Sequence, residues 1–345
     1  MGDPTTENET PFVFAPLVLA DEELRPLLVP VLKATFVLSP GKAPVLAEEM
    51  EPLCTEGLRW DEQDTSSYRY EPEVAFFKPA TDVVLVGHAH APAPGTRELL
   101  VSLQVGPLQK VVRVLGDRVW VRSLGSTHMT APLPFERIPL RYERAFGGWD
   151  RSHPDPSHHR FEPRNPVGMG FREPGSRFEE GVRLPNLESP TEPLRRWGHH
   201  PAPAGVGFIS PDWQPRAALA GTHDEAWART RKPYLPRDFD RRFFNAASPG
   251  LVASGYLRGD EPVKLVHASA GGALSFRLPG LPPPSVRVRR RGLPDSLVET
   301  HLDTVIIDTD RMRLFLLWRG NLRLRREPAE LTGLQVMAGG RRIAS

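Results

Sequence analysis

The chain has 345 residues, enough to bury a core without disulfide or metal staples. Its 38 prolines and 29 glycines, roughly one residue in five, exclude a bundle of long helices, because proline removes a backbone donor and clashes with the preceding turn. Forty-four basic side chains against 42 acidic ones leave a net charge of +2, so charge gives no reason to expect a nucleic-acid partner.

Hydrophobic residues at 39% and charged residues at 25% are globular proportions, neither those of a disordered chain nor of a membrane-spanning one. The amino-terminal stretch Met1 to Pro11 is polar and acidic, without the basic and apolar regions of an export signal, and the longest apolar run is Leu314 to Trp318. A cytoplasmic protein with no membrane partner is the expectation. Cys54 is alone and cannot form an internal bridge.

In chain order, the first strong element is Val29 to Leu38, rich in β-branched residues and stopped by the turn Ser39-Pro40-Gly41. Asp82 to Ala91, Glu98 to Val105, Leu108 to Leu115 and Arg118 to Arg122 follow, parted by Pro94-Gly95, Gly106-Pro107 and Gly116-Asp117. Connections this short join antiparallel neighbours, since a parallel crossover needs a dozen or more residues.

From about Phe146 to Pro249 no period of 2 or 3.6 persists, and prolines and glycines recur every few residues. The segment is too rich in Trp and Phe to read as disordered, so it is expected to be an ordered, loop-rich body packed on the sheets. Thr222-His-Asp-Glu225 has the form of a capping box, which predicts a helix of about nine residues opened by Thr222, stopped by Pro233 and docked by Trp227. Strands are expected again at Leu251 to Leu257, Val263 to Ala268, Ala273 to Leu278, Val286 to Arg290, Ser296 to Ile307 and Met312 to Trp318. The alternation Val286-Arg-Val-Arg turns its valines inward. The fold class is mainly β: antiparallel, sandwich-like sheets from the two terminal thirds around a Pro- and Gly-rich centre with one or two short helices.

Chemistry-bearing patterns are few. Gly168-Met-Gly170 lacks the third glycine of a dinucleotide loop, there is no Walker loop, and no Gly-x-Ser-x-Gly elbow occurs. His88 with His90, and His153, His158, His159, His199, His200 and His223, lack metal-ligand spacing, so no metal or cofactor is expected. Asp224 with Glu225, Asp308 with Asp310, and Asp238 with Asp240 are carboxylate pairs with blander uses as caps, turn residues and partners of Arg237, Arg241 and Arg242. No catalytic residue is assigned. The basic run Arg287, Arg289, Arg290, Arg291 lacks interleaved aromatics and reads as a solvated strand face.

Leu184-Pro-Asn-Leu-Glu188, Trp213-Gln-Pro-Arg216, Ala220-Gly-Thr-His-Asp-Glu-Ala-Trp227, Arg231-Lys-Pro-Tyr-Leu-Pro236 and Asp238-Phe-Asp240-Arg-Arg-Phe-Phe-Asn245, with Phe146-Gly-Gly-Trp149 and Asn165-Pro-Val-Gly168 upstream, form a specific set. In these the chain resembles a bacterial family, domain of unknown function 2169, associated with type VI secretion. The resemblance runs from about Pro16 to Arg325, implying one β-rich domain over 16–325, a flexible stretch 1–15 and a tail 326–345. It implies a cytoplasmic, non-enzymatic adaptor or chaperone that binds a secreted effector or a PAAR–VgrG spike component and assists loading.

The residues for partner binding, or for organising that region, are Trp197, Trp213, Arg216, Asp224, Trp227, Tyr234, Asp238, Asp240, Arg242, Phe244 and Asn245. Trp, Tyr and Arg offer large contact area and bidentate donors, while Asp and Asn bond loop backbone. The alternative is a β-rich carbohydrate- or cell-wall-active hydrolase using Asp238 and Asp240.

Overall fold

The structure is a computed structural model and describes residues 4–61, 66–325 and 328–339. The strand Pro26–Val37 is its spine, buried over its whole length except at the two ends. It pairs antiparallel with Val13–Ala20 on one side and with Arg313–Arg319 on the other. Beyond these lie His301–Asp308, antiparallel, and Asp82–Val86, parallel. Val45–Leu46 and Leu322–Arg323 add short pairings to make seven strands. The parallel pair is possible because the whole central third of the chain serves as its crossover.

Alternation gives this sheet two unlike faces. Leu32, Ala34 and Phe36 on the spine, with Leu314, Leu316 and Trp318 beside them, face one way and are buried. Lys33, Thr35, Arg319, Thr304 and Asp82 face the other. Buried charge is tolerated only when paired and hydrogen-bonded. The segment 47–80 supplies the partners: Lys33 Nζ donates to Glu73 Oε2 and to the Pro52 carbonyl, both at 3.0 Å, and Lys78 Nζ donates to Asp82 Oδ2 at 2.7 Å. Arg319 pairs with Asp303 at 2.5 Å and donates to the Ala75 carbonyl at 2.6 Å.

The second sheet runs Leu187–Glu188, Leu108–Leu115, Glu98–Val105, Pro262–Val266, Ala273–Arg277, antiparallel throughout. Leu99, Val101, Leu103, Val105, Val263 and Leu265 share one core with the apolar side of the first sheet. A third sheet contains Thr5–Asn8, Leu331–Met337, Ser285–Arg290 and Leu293–Glu299, with Val286 and Val288 turned inward as the alternation requires. Its first two members are parallel, so strands from both terminal segments lie side by side.

The expected mainly β architecture is therefore present, with corrections at element boundaries. Asp82 to Ala91 is two strands, Asp82–Val86 and His88–His90, broken at Gly87. There φ is 155° and a Cβ would overlap the Thr309 hydroxyl, so the chain turns away to pair with Arg137–Pro139. Ser296 to Ile307 divides at Thr300 into Leu293–Glu299 and His301–Asp308, which belong to different sheets. Leu251 to Leu257 is not a strand; Val252 makes one bridge, to Asp82.

The central region and the loop that follows it seal the open edge of Asp82–Val86. Val83 N donates to Leu251 O at 2.9 Å and Leu85 N to Val206 O at 3.0 Å, while Ala253 N donates to Thr81 O at 2.9 Å. Loop backbone thus satisfies donors that would otherwise form an exposed sheet edge.

Candidate binding cleft in the central region

Two short motifs build one wall of a cleft by locking into each other. Asn165 is fully buried, and its Nδ2 donates to the carbonyls of Tyr142 at 2.8 Å and Phe146 at 2.9 Å. In return Gly148 N donates to Asn165 O at 2.9 Å and Met169 N to Ala145 O at 3.0 Å. Gly148 has φ 86°, and a Cβ there would overlap the Gly168 carbonyl, so the glycines of Phe146-Gly-Gly-Trp149 are what lets the two backbones touch.

The consequence is an outward-turned Trp149. Its ring stacks on Phe161 at 4.6 Å and 28°, each residue remaining 42% exposed, and the Arg151 guanidinium lies 5.1 Å from the Trp149 ring centre. Stacked rings with an adjacent guanidinium gain from dispersion and from the ring quadrupole. Trp149 and Arg151 line a cleft of about 900 Å³ together with Arg59, Arg172, Ser210 and Trp213, and Phe161 backs the Trp149 ring.

Most polar groups around the cleft are already paired. Glu143 accepts from Ser67 N at 2.6 Å and Ser67 Oγ at 2.8 Å, and Asp61 accepts from Arg141 at 3.0 Å. Arg172 donates to Phe171 O at 2.9 Å and Glu179 at 3.1 Å. Among the described residues around it, the buried donors Ser210 Oγ, Arg172 Nε and Arg141 Nε are without a hydrogen-bond partner. Arg59, Arg151 and Arg172 share the lining with Asp61, Glu143, Glu179 and Asp212, so the cleft suits a partner carrying both charges and apolar side chains better than a polyanion.

Of the residues expected from sequence, only Trp213 lines this cleft; it is buried and meets Tyr142 edge-on at 5.5 Å. A second group converges behind it. Arg216 is buried, ion-paired with Glu71, and donates to the carbonyls of Phe243 at 2.6 Å and Ile209 at 2.8 Å. Burial pushes the Glu71 carboxyl up, against the pull of Arg216 and Lys78. Phe244 meets Phe76 at 4.6 Å, and Asn245 Nδ2 bridges Ala80 O at 2.8 Å and Asp82 Oδ1 at 2.9 Å. These residues fasten the loops to the sheet.

A third group forms an exposed knob. The helix is Glu225–Thr230, six residues, and its cap is Asp224, which accepts from Trp227 N at 2.7 Å. This corrects the expected nine-residue helix opened by Thr222, whose hydroxyl instead donates to Asp238 at 2.7 Å. Trp227 Nε1 donates to the Tyr234 carbonyl at 2.9 Å. Asp240 accepts from Arg242 N at 2.8 Å and pairs with the Arg242 guanidinium at 2.5 Å. Bonds from Thr222 hold Asp238 below the usual carboxylate range, and bonds from Arg242 do the same for Asp240. Trp197 stands apart, in a small core with Trp120 at 5.9 Å and Phe178 at 4.8 Å.

The sequence reading missed Trp149, Phe161, Arg151, Arg172 and Ser210 as members of one surface. A glycine pair before an aromatic was the single local signal; the others are brought together by folding alone. Among the described residues no three His, Cys, Asp or Glu side chains gather as metal ligands would, and no helix is long and apolar enough to cross a membrane.

Fold and cleft together define a mainly β protein whose irregular centre is fastened to a sheet edge and presents a stacked aromatic pair beside a mixed-charge groove. The chain belongs to the family described as "Uncharacterized protein conserved in bacteria (DUF2169)", which matches residues 23–319. None of the curated proteins or solved structures compared with it matches.

Proposed function

We propose that the protein is a non-enzymatic adaptor of type VI secretion that binds an effector, or a PAAR–VgrG spike component, and assists effector loading. The observation that carries the binding role is the Trp149–Phe161 stack with Arg151 at the mouth of the cleft. Exposed Trp and Arg are what polypeptide interfaces use as anchors. Their support is fixed beforehand through Asn165, Arg216 and Asn245, so docking orders little new chain and retains more of its contact energy. The secretion context rests on the resemblance carried by the central motifs.

The hydrolase alternative gains nothing from the placement of its carboxylates. A glycosidase acid needs a raised pKa, and Asp238 and Asp240 are both shifted down while they hold loop backbone.

The test is co-purification of the full chain with the PAAR protein and the effector encoded beside it. A stable complex with one of them is expected, weakened by about tenfold or more in the Trp149→Ala, Arg151→Ala double variant. A well-folded sample that binds neither defeats the proposal, as does turnover of a glycan that vanishes in Asp238→Asn.

A further inference from the structure

Six lysines occur in the chain, and Lys110 is placed unlike the rest. Lys33 and Lys78 are buried in ion pairs, while Lys42, Lys232 and Lys264 are exposed. Alternation along Leu108–Leu115 puts Lys110 in the row of Val112 and Val114, both buried, and the register sets it beside Leu103, which is fully buried. It therefore faces the core side of the second sheet, at the margin where the sheet meets the central loops.

There the amine lines a pocket of about 240 Å³ walled largely by Val111, Pro203, Ala204, Ile209 and Pro215. Among the described residues it has no carboxylate partner; its Nζ donates to the Pro249 carbonyl at 2.7 Å. The other groups facing the pocket give the ammonium no support. Arg164 is cationic and is held at 2.7 Å by Glu162 through two parallel bonds. The Tyr142 hydroxyl is neutral and bonded to Ser248 at 2.7 Å. Ser189 carries no charge, and Glu192, which accepts from Ala202 N at 3.4 Å on the rim, is exposed. Lys110 is half-buried, and desolvation of its amine against the pocket without a counter-charge pushes the ammonium down to about 8.

We propose that this pocket captures small apolar carbonyl compounds covalently, with Lys110 as the amine. The Pro249 carbonyl accepts one N–H and leaves the nitrogen lone pair free to attack. A C–N bond forms at the carbonyl carbon, and the carbonyl electron pair moves to oxygen, which takes up a proton from water. Nitrogen returns one proton to the water, and the carbinolamine then loses its hydroxyl together with the second nitrogen proton as one water, giving an imine with no change of oxidation state. The inference is independent of the adaptor reading.

The experiment treats the full-length protein with butanal and cyanoborohydride, which fixes imines, and maps the label by peptide mass. Near pH 7 the Lys110 peptide is expected to label at least about tenfold faster than those of Lys42, Lys232 and Lys264, which stay protonated. Near pH 10 that advantage should shrink towards parity as the exposed amines lose their protons. Ala204→Leu, which fills the pocket, should slow Lys110 and leave the other three unchanged. Equal rates near pH 7, or no label on Lys110 while the exposed lysines react, would overturn the proposal, and the wild-type protein suffices to show either.

Discussion

The sheets and the central region meet the same requirement by different means. Every buried backbone donor and acceptor must be paired. In the spine Pro26–Val37 the ladder does this, residue after residue, with neighbours on both sides. Between Phe146 and Pro249 scattered loop-to-loop backbone bonds share the task with single side chains: Asn165 for the carbonyls of Tyr142 and Phe146, Arg216 for Ile209 and Phe243, Asn245 for Ala80. A ladder distributes its stabilisation over many equivalent bonds, whereas a pinned loop concentrates it in a few atoms. The surface that results can take shapes no sheet offers, at the cost of depending on a handful of residues.

Substitutions at the pins should therefore cost more than conservative changes in the sheet. Arg216→Met leaves Glu71 buried without its partner and is expected to destabilise by about 3–5 kcal/mol, read from urea unfolding midpoints. Ile306→Val, in the middle of the first sheet, should cost only about 0.5–1.5 kcal/mol. Adding Glu71→Leu to Arg216→Met should restore much of the loss, because the penalty lies in the stranded charge. If the single variant costs less than the sheet variant, the contrast between the regions is wrong.

Asn165→Ala comes next. It removes the side-chain donor shared by the buried Tyr142 and Phe146 carbonyls, the first of which keeps Ala145 N at 3.0 Å, and about 1–3 kcal/mol should be lost, with the fluorescence of Trp149 shifted as the wall it stands on loosens. Trp149→Ala should be milder for the fold, about 0.5–1.5 kcal/mol for the lost stack on Phe161, because both rings are already half in water. A large unfolding effect at Trp149 would make it a core residue and remove it from the binding surface.

How much of this was legible follows from how local each cause is. Val286-Arg-Val-Arg reads as a strand with its valines inward because period two is a property of the segment itself. The break at Gly87 was not legible, since its cause is Thr309, in the turn after the distant strand His301–Asp308. The helix was found but its cap was misplaced by two residues: Thr222 has the right chemistry, yet Asp238, sixteen residues on, takes its hydroxyl first. Arg216 and Asn245 are residues the sequence offers for partner binding or for organising the region, and the structure places both on loop carbonyls, a use common to such side chains. The cleft itself was out of reach, because Trp149, Arg172 and Ser210 come from separate segments that only the folded chain brings to one surface.

The smallest effect expected is a pH dependence confined to the pinned region. Asp150 follows Trp149 and is buried, and its two carboxylate oxygens accept from Ser152 N and Glu173 N, each at 3.0 Å. Burial works against its charge, but these bonds outweigh it and hold the group below its ordinary 3.8. A carboxyl lowered in the folded state stabilises fully above its unfolded pKa and loses that contribution as pH falls through the folded one. Wild type should thus exceed Asp150→Asn in urea midpoint at neutral pH, and the gap should close below about pH 4, as protonation of the wild type removes the same charged acceptor. Ile306→Val, acting through packing alone, should hold its own gap from wild type constant over that range. A gap for Asp150→Asn that stayed level with pH would mean the clip works by shape and not by charge, and the distinction between ladder and pin would lose its electrostatic half.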